Sequence, residues 1–134
     1  MSVTTIKGRT IMKGDAQAEA IVAKTPLSFL YVDSTGAVLD KTQDLYGQVI
    51  KDKILVVPAL KGSSMQELSL AALVQSGRAP KGIIALEADT RLITAALFCE
   101  IPTMDKLEKN PLEAISTGDL VRINADKGIV EVQK

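Results

Sequence analysis

KILVVPALKGSSMQELSLAALVQSGRAPKGIIAL, residues 53–86, decides the fold. Its first apolar run, Ile54-Leu55-Val56-Val57, has no polar residue at alternate positions and is rich in branched side chains, as in a strand covered on both faces. Pro58 stops the run, and Leu60-Lys61-Gly62-Ser63-Ser64 leads into a helix expected from about Met65 to Ser76. Ser64 and Glu67 have the S-x-x-E spacing of a capping box, while Gly77 and Pro80 supply stop signals. Gly82 to Leu86 is then a second short apolar strand. A strand, a helix and a strand in this order make a crossover unit, which calls for parallel pairing.

Working outward, Asp89 is placed to cap a helix through Phe98, and Ile101 to Met104 reads as a third short strand. Asn110-Pro111-Leu112-Glu113 gives cap, first-turn proline and acidic residue for a brief helix. Leu120 to Asn124 and Ile129 to Val132 form a closing pair of strands around Ala125-Asp126-Lys127-Gly128. On the N-terminal side, Thr5 to Met12 and Ala16 to Ala23 are expected to form a hairpin through Lys13-Gly14-Asp15. Past Pro26, the apolar run Leu27 to Asp33 closes on the turn Asp33-Ser34-Thr35-Gly36, and Ala37 to Leu39 begins another short strand. The expected class is α/β: a small, mainly parallel sheet with helices against it, and a β layer formed by the terminal strands. Residues 1–134 form one expected domain, without a linker or internal repeat.

Composition narrows the function. Sixteen basic residues balance sixteen acidic ones, leaving no surplus field for nucleic acid phosphates or an anionic membrane, so neither partner is expected. The longest apolar stretch, Ile54 to Leu60, is far short of the roughly 20 residues that span a bilayer. MSVTTIKGRTIMKGD lacks an apolar secretory core and one cysteine cannot pair within the chain, so a cytoplasmic location is expected. There is no histidine, which excludes Ser-His-Asp and Cys-His nucleophiles, HExxH zinc sites and phosphohistidine carriers. With Cys99 alone as a thiol, the chain cannot by itself hold a cysteine-rich zinc site or an iron-sulfur cluster. Four aromatic residues, Phe29, Tyr31, Tyr46 and Phe98, leave the core to aliphatic side chains.

One constellation has chemical potential. Lys61-Gly62-Ser63-Ser64 sits at a strand-to-helix junction, where free helix N–H groups and the helix dipole favour a negative group. That group could be a substrate carboxylate, a phosphate or a serine alkoxide, with Lys61 adding positive charge. Equally, Ser64 is explained as a helix cap and Ser63 as a solvated neighbour. The spacing does not match a Walker A loop. Cys99 reads as a small apolar residue, Asp33 as a turn former and Asp89 as a helix cap.

The residues Gly8-Arg9, Gly14-x-Ala16-x-Ala18-Glu19-Ala20, Pro26-Leu27-Ser28-Phe29 and Val32-Asp33-x-x-Gly36 resemble, in order and spacing, the swivelling-domain small subunit of the aconitase X family. So do Gly47 with Lys53-Ile54-Leu55-Val56, Lys61-Gly62-Ser63-Ser64, Ala79-Pro80-Lys81-Gly82-Ile83-Ile84, Glu100-Ile101-Pro102 and Thr117-Gly118-Asp119-x-Val121. The resemblance spans nearly the whole chain. It departs from the family at Leu30-Tyr31, where a Gly-Gly pair is usual, and at Gln66-Glu67, where small residues are common.

The resemblance implies a β/β/α swivelling fold that docks on a larger subunit carrying a 4Fe-4S cluster, with no cofactor bound by this chain. In such hydro-lyases the cluster acts as a Lewis acid on the departing hydroxyl, and a small-subunit serine, matched here by Ser63, removes the proton from the neighbouring carbon. Lys61, Gly62 and Ser64 would stabilise the charge and bind a small anionic substrate, and Arg9 either contacts that substrate's anionic group or is an exposed strand-end residue. The implied reaction is dehydration of 5-phosphomevalonate to anhydromevalonate phosphate. The alternatives are a hydroxyproline or other hydroxy-acid dehydratase subunit, and a noncatalytic binding or regulatory module of the same fold.

Overall fold

The computed structural model describes residues 2–62 and 65–134. Among these, eight strands share one sheet: β1 (Val3–Lys7), β2 (Arg9–Met12), β3 (Asp15–Val22), β4 (Ile54–Val57), β5 (Gly82–Ala85), β6 (Thr103–Asp105), β7 (Leu120–Asn124) and β8 (Ile129–Gln133). Their spatial order is β1-β8-β7-β3-β4-β5-β6-β2. β3, β4, β5 and β6 are parallel, and the other neighbours are antiparallel. The α/β class, the parallel centre and the layer of terminal strands are as the sequence leads one to expect. The helices are α1 (Gln66–Gln75), α2 (Thr90–Cys99) and the short α3 (Pro111–Ala114).

β3 joins the two layers. Its first half, Asp15 to Glu19, pairs with β7, and Ala20 to Val22 pair with β4. β4 explains its own unbroken apolar run, because all four of its side chains are fully buried and they alternate between two cores. Leu55 and Val57 join Ile21, Ile83 and Ala85 beneath Leu70 and Leu73 of α1 and Leu92 and Ala95 of α2. Ile54 and Val56 point the other way, towards Met104, Val121, Ile123 and Val130. α2 begins where Asp89 caps it, its carboxylate accepting from the Leu92 N–H at 3.1 Å. Asn110 caps α3 in the same way through the Leu112 N–H at 2.9 Å.

Three local expectations are corrected. The N-terminal hairpin does not form: β2 pairs with β6, and β3 pairs with β7 and β4. Both strands take partners distant in sequence instead, and Gly14, with φ +136° and a Cβ position 2.6 Å from Pro102 Cγ, packs against the residue before β6. The run Thr5 to Met12 is likewise two strands at opposite ends of the sheet, separated by Gly8 alone. A side chain at Gly8 would collide with Leu107 and sit 3.0 Å from the Asp105 carbonyl.

The segment between β3 and β4 carries no strand among the described residues. Phe29–Tyr31 is a 3-10 turn, because Ser28 Oγ accepts from the Leu30 N–H at 3.2 Å and diverts the backbone from extended pairing. Ala37 to Leu39 contributes only isolated bridges, Val32 with Val38 and Ala37 with Val49. Asp33 is the expected turn former, accepting from the Thr35 and Ala37 N–H groups at 2.8 and 3.1 Å. Buried Gln43 secures the segment through bonds to the Thr25 and Pro26 carbonyls at 2.7 and 3.0 Å.

Candidate functional site

Because β3, β4, β5 and β6 are parallel, the segments that follow them emerge at one rim, the carboxyl end where open α/β sheets place ligands. Residues 23–31 follow β3, 58–62 follow β4, 86–89 follow β5, and Lys106 follows β6. Arg9 lies at the same rim, since antiparallel pairing sets it opposite Asp105 at the end of β6. Lys61 and Gly62 therefore share a rim with Arg9. Ser63 and Ser64, the expected proton acceptor and its neighbour, lie outside the described residues, as does the capping box expected of Ser64.

The loop leading to Ser63 is held against the segment after β3. Leu27 donates to the Ala59 carbonyl at 3.2 Å and accepts from the Lys61 N–H at 3.0 Å. Gly62 has φ +83°, and a Cβ there would meet only Ser28 Oγ, at 3.9 Å. Conformation rather than space thus calls for glycine. α1 starts after Met65, whose side chain makes no capping hydrogen bond.

Four cations of this rim face an acid, while Lys24 Nζ donates to the Leu112 carbonyl at 2.7 Å. Lys61 Nζ lies 2.8 Å from Asp40 Oδ2 and donates to Thr42 Oγ1 at 3.3 Å. Arg9 grips Asp105 with two bonds of 2.8 Å, and this fully buried carboxylate also accepts from the Ala88 N–H at 2.7 Å. Arg91 pairs with Asp89 at 2.6 Å, and Lys106 lies 3.6 Å from Glu87. Burial opposes the Asp89 charge, but Arg91 and the Leu92 N–H outweigh it and hold the carboxyl below the usual range. The positive charge of Lys61 is shared with Asp40 before any ligand arrives.

The bond from Lys61, with help from Thr42, holds the Asp40 carboxyl down to about 2 from an ordinary 3.8. A carboxyl depressed on folding contributes stability above its unfolded pKa and loses it as pH falls through the folded one. Wild type should therefore lose this contribution between pH 3.8 and about 2. Asp40→Asn should flatten that limb, which denaturant midpoints at stepped pH would measure. Identical acid limbs would mean that the pair is open in solution.

Two site residues escaped sequence reading. Gln66 is fully buried; its Oε1 accepts from the Phe29 N–H at 2.9 Å, and its Nε2 donates to Ser28 Oγ at 3.1 Å and the Lys61 carbonyl at 3.0 Å. Arg91, at the start of α2, donates to the Leu60 and Gly62 carbonyls at 3.0 Å each. The sequence carries no local sign of the Gln66 bonds, because its burial comes from tertiary packing. Arg91 gave none either, because its partners come from another loop. Gln66 thus ties the start of α1 to Ser28 and Phe29, the residues just before Leu30-Tyr31.

Glu67 is half-buried, and its carbonyl lies 3.7 Å from Cys99 Sγ between α1 and α2. Burial, aided by the Glu67 charge, pushes the Cys99 thiol up, which suits the packing role expected of it. No cluster of three His, Cys, Asp or Glu among the described residues could hold a metal ion. No described helix is long and apolar enough to cross a membrane.

A parallel-sheet rim that carries Lys61 and Gly62, backed by a layer of terminal strands, is the architecture of a swivelling α/β domain. The chain belongs to the aconitase X swivel domain family, whose model matches residues 5–132. It is 40% identical over 131 residues to the phosphomevalonate dehydratase small subunit of Methanosarcina acetivorans, covering 96% of this chain and 91% of that one. It is 45% identical over 129 residues to the phosphomevalonate dehydratase small subunit of Thermococcus gammatolerans, covering 95% and 96%. The crystal structure of Thermococcus kodakaraensis aconitase X in its holo-form matches with a TM-score of 0.91 and 42% identity, over 98% of this chain and 99% of that chain.

Proposed function

We propose that this chain is the small subunit of an aconitase X-type hydro-lyase that dehydrates 5-phosphomevalonate in the cytoplasm, assembled with a large subunit. The observation that carries the reading is near full-length similarity, at 40% and 45% identity, to two phosphomevalonate dehydratase small subunits, with Lys61-Gly62 at the rim of the parallel strands. The chain's own donor set does not fit an iron-sulfur cluster, because Cys99 is its one thiol and it has no histidine. The cluster is assigned to the partner.

In this reading Ser63 accepts the proton from the carbon beside the departing hydroxyl. Lys61 and the start of α1 supply the local positive potential that a serine oxygen needs to act as a base. Gly62 and Ser64 line the substrate's approach, and Arg9, anchored on Asp105, faces its anionic group with the N–H groups that Asp105 leaves unused. The rim also offers apolar surface to a partner: Leu30, Tyr31, Leu39 and Met65 are each 50–54% exposed.

Coexpression with the large subunit, anaerobic purification and a dehydration assay with 5-phosphomevalonate test the reading. Copurification, water loss from 5-phosphomevalonate and none from hydroxyproline are expected. A complex active only on another hydroxy acid would reassign the substrate. A large chain without cysteines for a cluster would favour a noncatalytic module.

A further inference from the structure

Three consecutive carbonyls precede Ser63, and a side chain holds each of them. The Leu60 and Gly62 oxygens accept from the two terminal nitrogens of Arg91, at 3.0 Å each, and the Lys61 oxygen between them accepts from Gln66 Nε2 at 3.0 Å. The donors come from different helices, α2 on one side and α1 on the other. Both are held in turn. Asp89 Oδ2 accepts from Arg91 Nε at 2.9 Å and from Nη2 at 2.6 Å, while its other oxygen caps α2. The Gln66 amide is fixed by the Phe29 N–H and Ser28 Oγ in a fully buried setting.

A peptide unit is planar, so fixing its carbonyl fixes the whole unit. Restraining three in succession sets the direction in which the chain leaves Gly62 for residue 63. Glycine at φ +83° is the most freely rotating position of this stretch, and the Arg91 bond falls on its own carbonyl. Only a planar, forked cation can reach two carbonyls two residues apart while stacking its remaining N–H groups on one carboxylate; a lysine ammonium would reach one.

Resting on the function proposed above, we infer that Arg91 and Gln66 are positioning residues for the Ser63 loop: they orient the Leu60, Lys61 and Gly62 peptides from two helices without touching substrate. Misplacing a reacting group by about 1 Å costs on the order of 10²-fold in rate, so losing either clamp lowers turnover rather than substrate affinity.

The test has two arms. In the isolated chain, Arg91→Ala and Gln66→Met should speed amide hydrogen exchange at Lys61 and Gly62 about tenfold, with the β4 and β5 amides unchanged. In the complex with the large subunit, kcat should fall about 10²-fold with KM within about threefold. Arg91→Lys should not restore turnover, whereas added guanidinium should partly restore Arg91→Ala. A merely structural role would instead lower the melting temperature and the active fraction, with no guanidinium rescue. Wild-type exchange in both variants overturns the inference, and so does fast exchange with undiminished kcat. If the wild-type complex dehydrates nothing, the functional reading fails and exchange alone decides: fast exchange upholds the clamp and unchanged exchange overturns it.

Discussion

Ser63→Ala, reconstituted with the large subunit, is expected to lower kcat for dehydration about 10²–10⁴-fold, the usual contribution of a positioned general base. KM should change little, since the substrate's charged groups are assigned to Lys61 and Arg9. The melting temperature should also hold. The bonds described for this loop end on the Leu60, Lys61 and Gly62 carbonyls, which Ser63→Ala leaves in place. Ser63→Cys tests the chemistry further, because a thiolate forms at lower pH and should shift the acidic limb of the rate profile downwards. A Ser63→Ala complex with full activity would remove this residue from the reaction and send the search for a base to the large subunit.

The largest effect on stability should come from the strand that feeds this loop. Ile54→Ala and Leu55→Ala change adjacent residues, both fully buried but packed into opposite cores. In a strand with one solvated face, one of the two would be nearly neutral. Here each should cost about 3 kcal/mol through lost burial and the cavity left behind, lowering the melting temperature by roughly 10 °C. The two cores share the strand but not the side chains, so the double variant should approach the sum of the single ones. A neutral result for either substitution would contradict the two-sided packing. Denaturant midpoints decide between the outcomes.

Local signals were strong in the centre of the chain. Continuous apolar runs located β4 and β5, and Asp89 and Asn110 marked helix starts that their side chains cap in the structure. Such features depend on residues within one turn or strand. Long-range partners leave no comparable trace. Nothing near Arg9 indicates Asp105, 96 positions away, so a glycine between two strand-like runs was read as a hairpin turn. The irregular stretch between β3 and β4 was misread for a related reason: its order comes from Ser28, Asp33 and Gln43 bonding to backbone. At the candidate site the Lys61-Gly62-Ser63-Ser64 stretch was visible, because a glycine before a helix is a local pattern. Its restraint by Arg91 and Gln66 belongs to tertiary packing and was not.

Pairing of β1 with β8, Val3 beside Gln133, has a consequence for biosynthesis. On a ribosome the earliest strand emerges with its neighbour still untranslated, a wait on the order of ten seconds at ordinary elongation rates. β2 waits similarly for β6. During that interval a nascent chain displays two unpaired edges, the state most open to pairing with other chains. β1 is protected by its own composition, VTTIK, in which Ile6 alone becomes buried. The order of translation therefore favours a weakly apolar first strand, recruited only when the last one arrives to receive it.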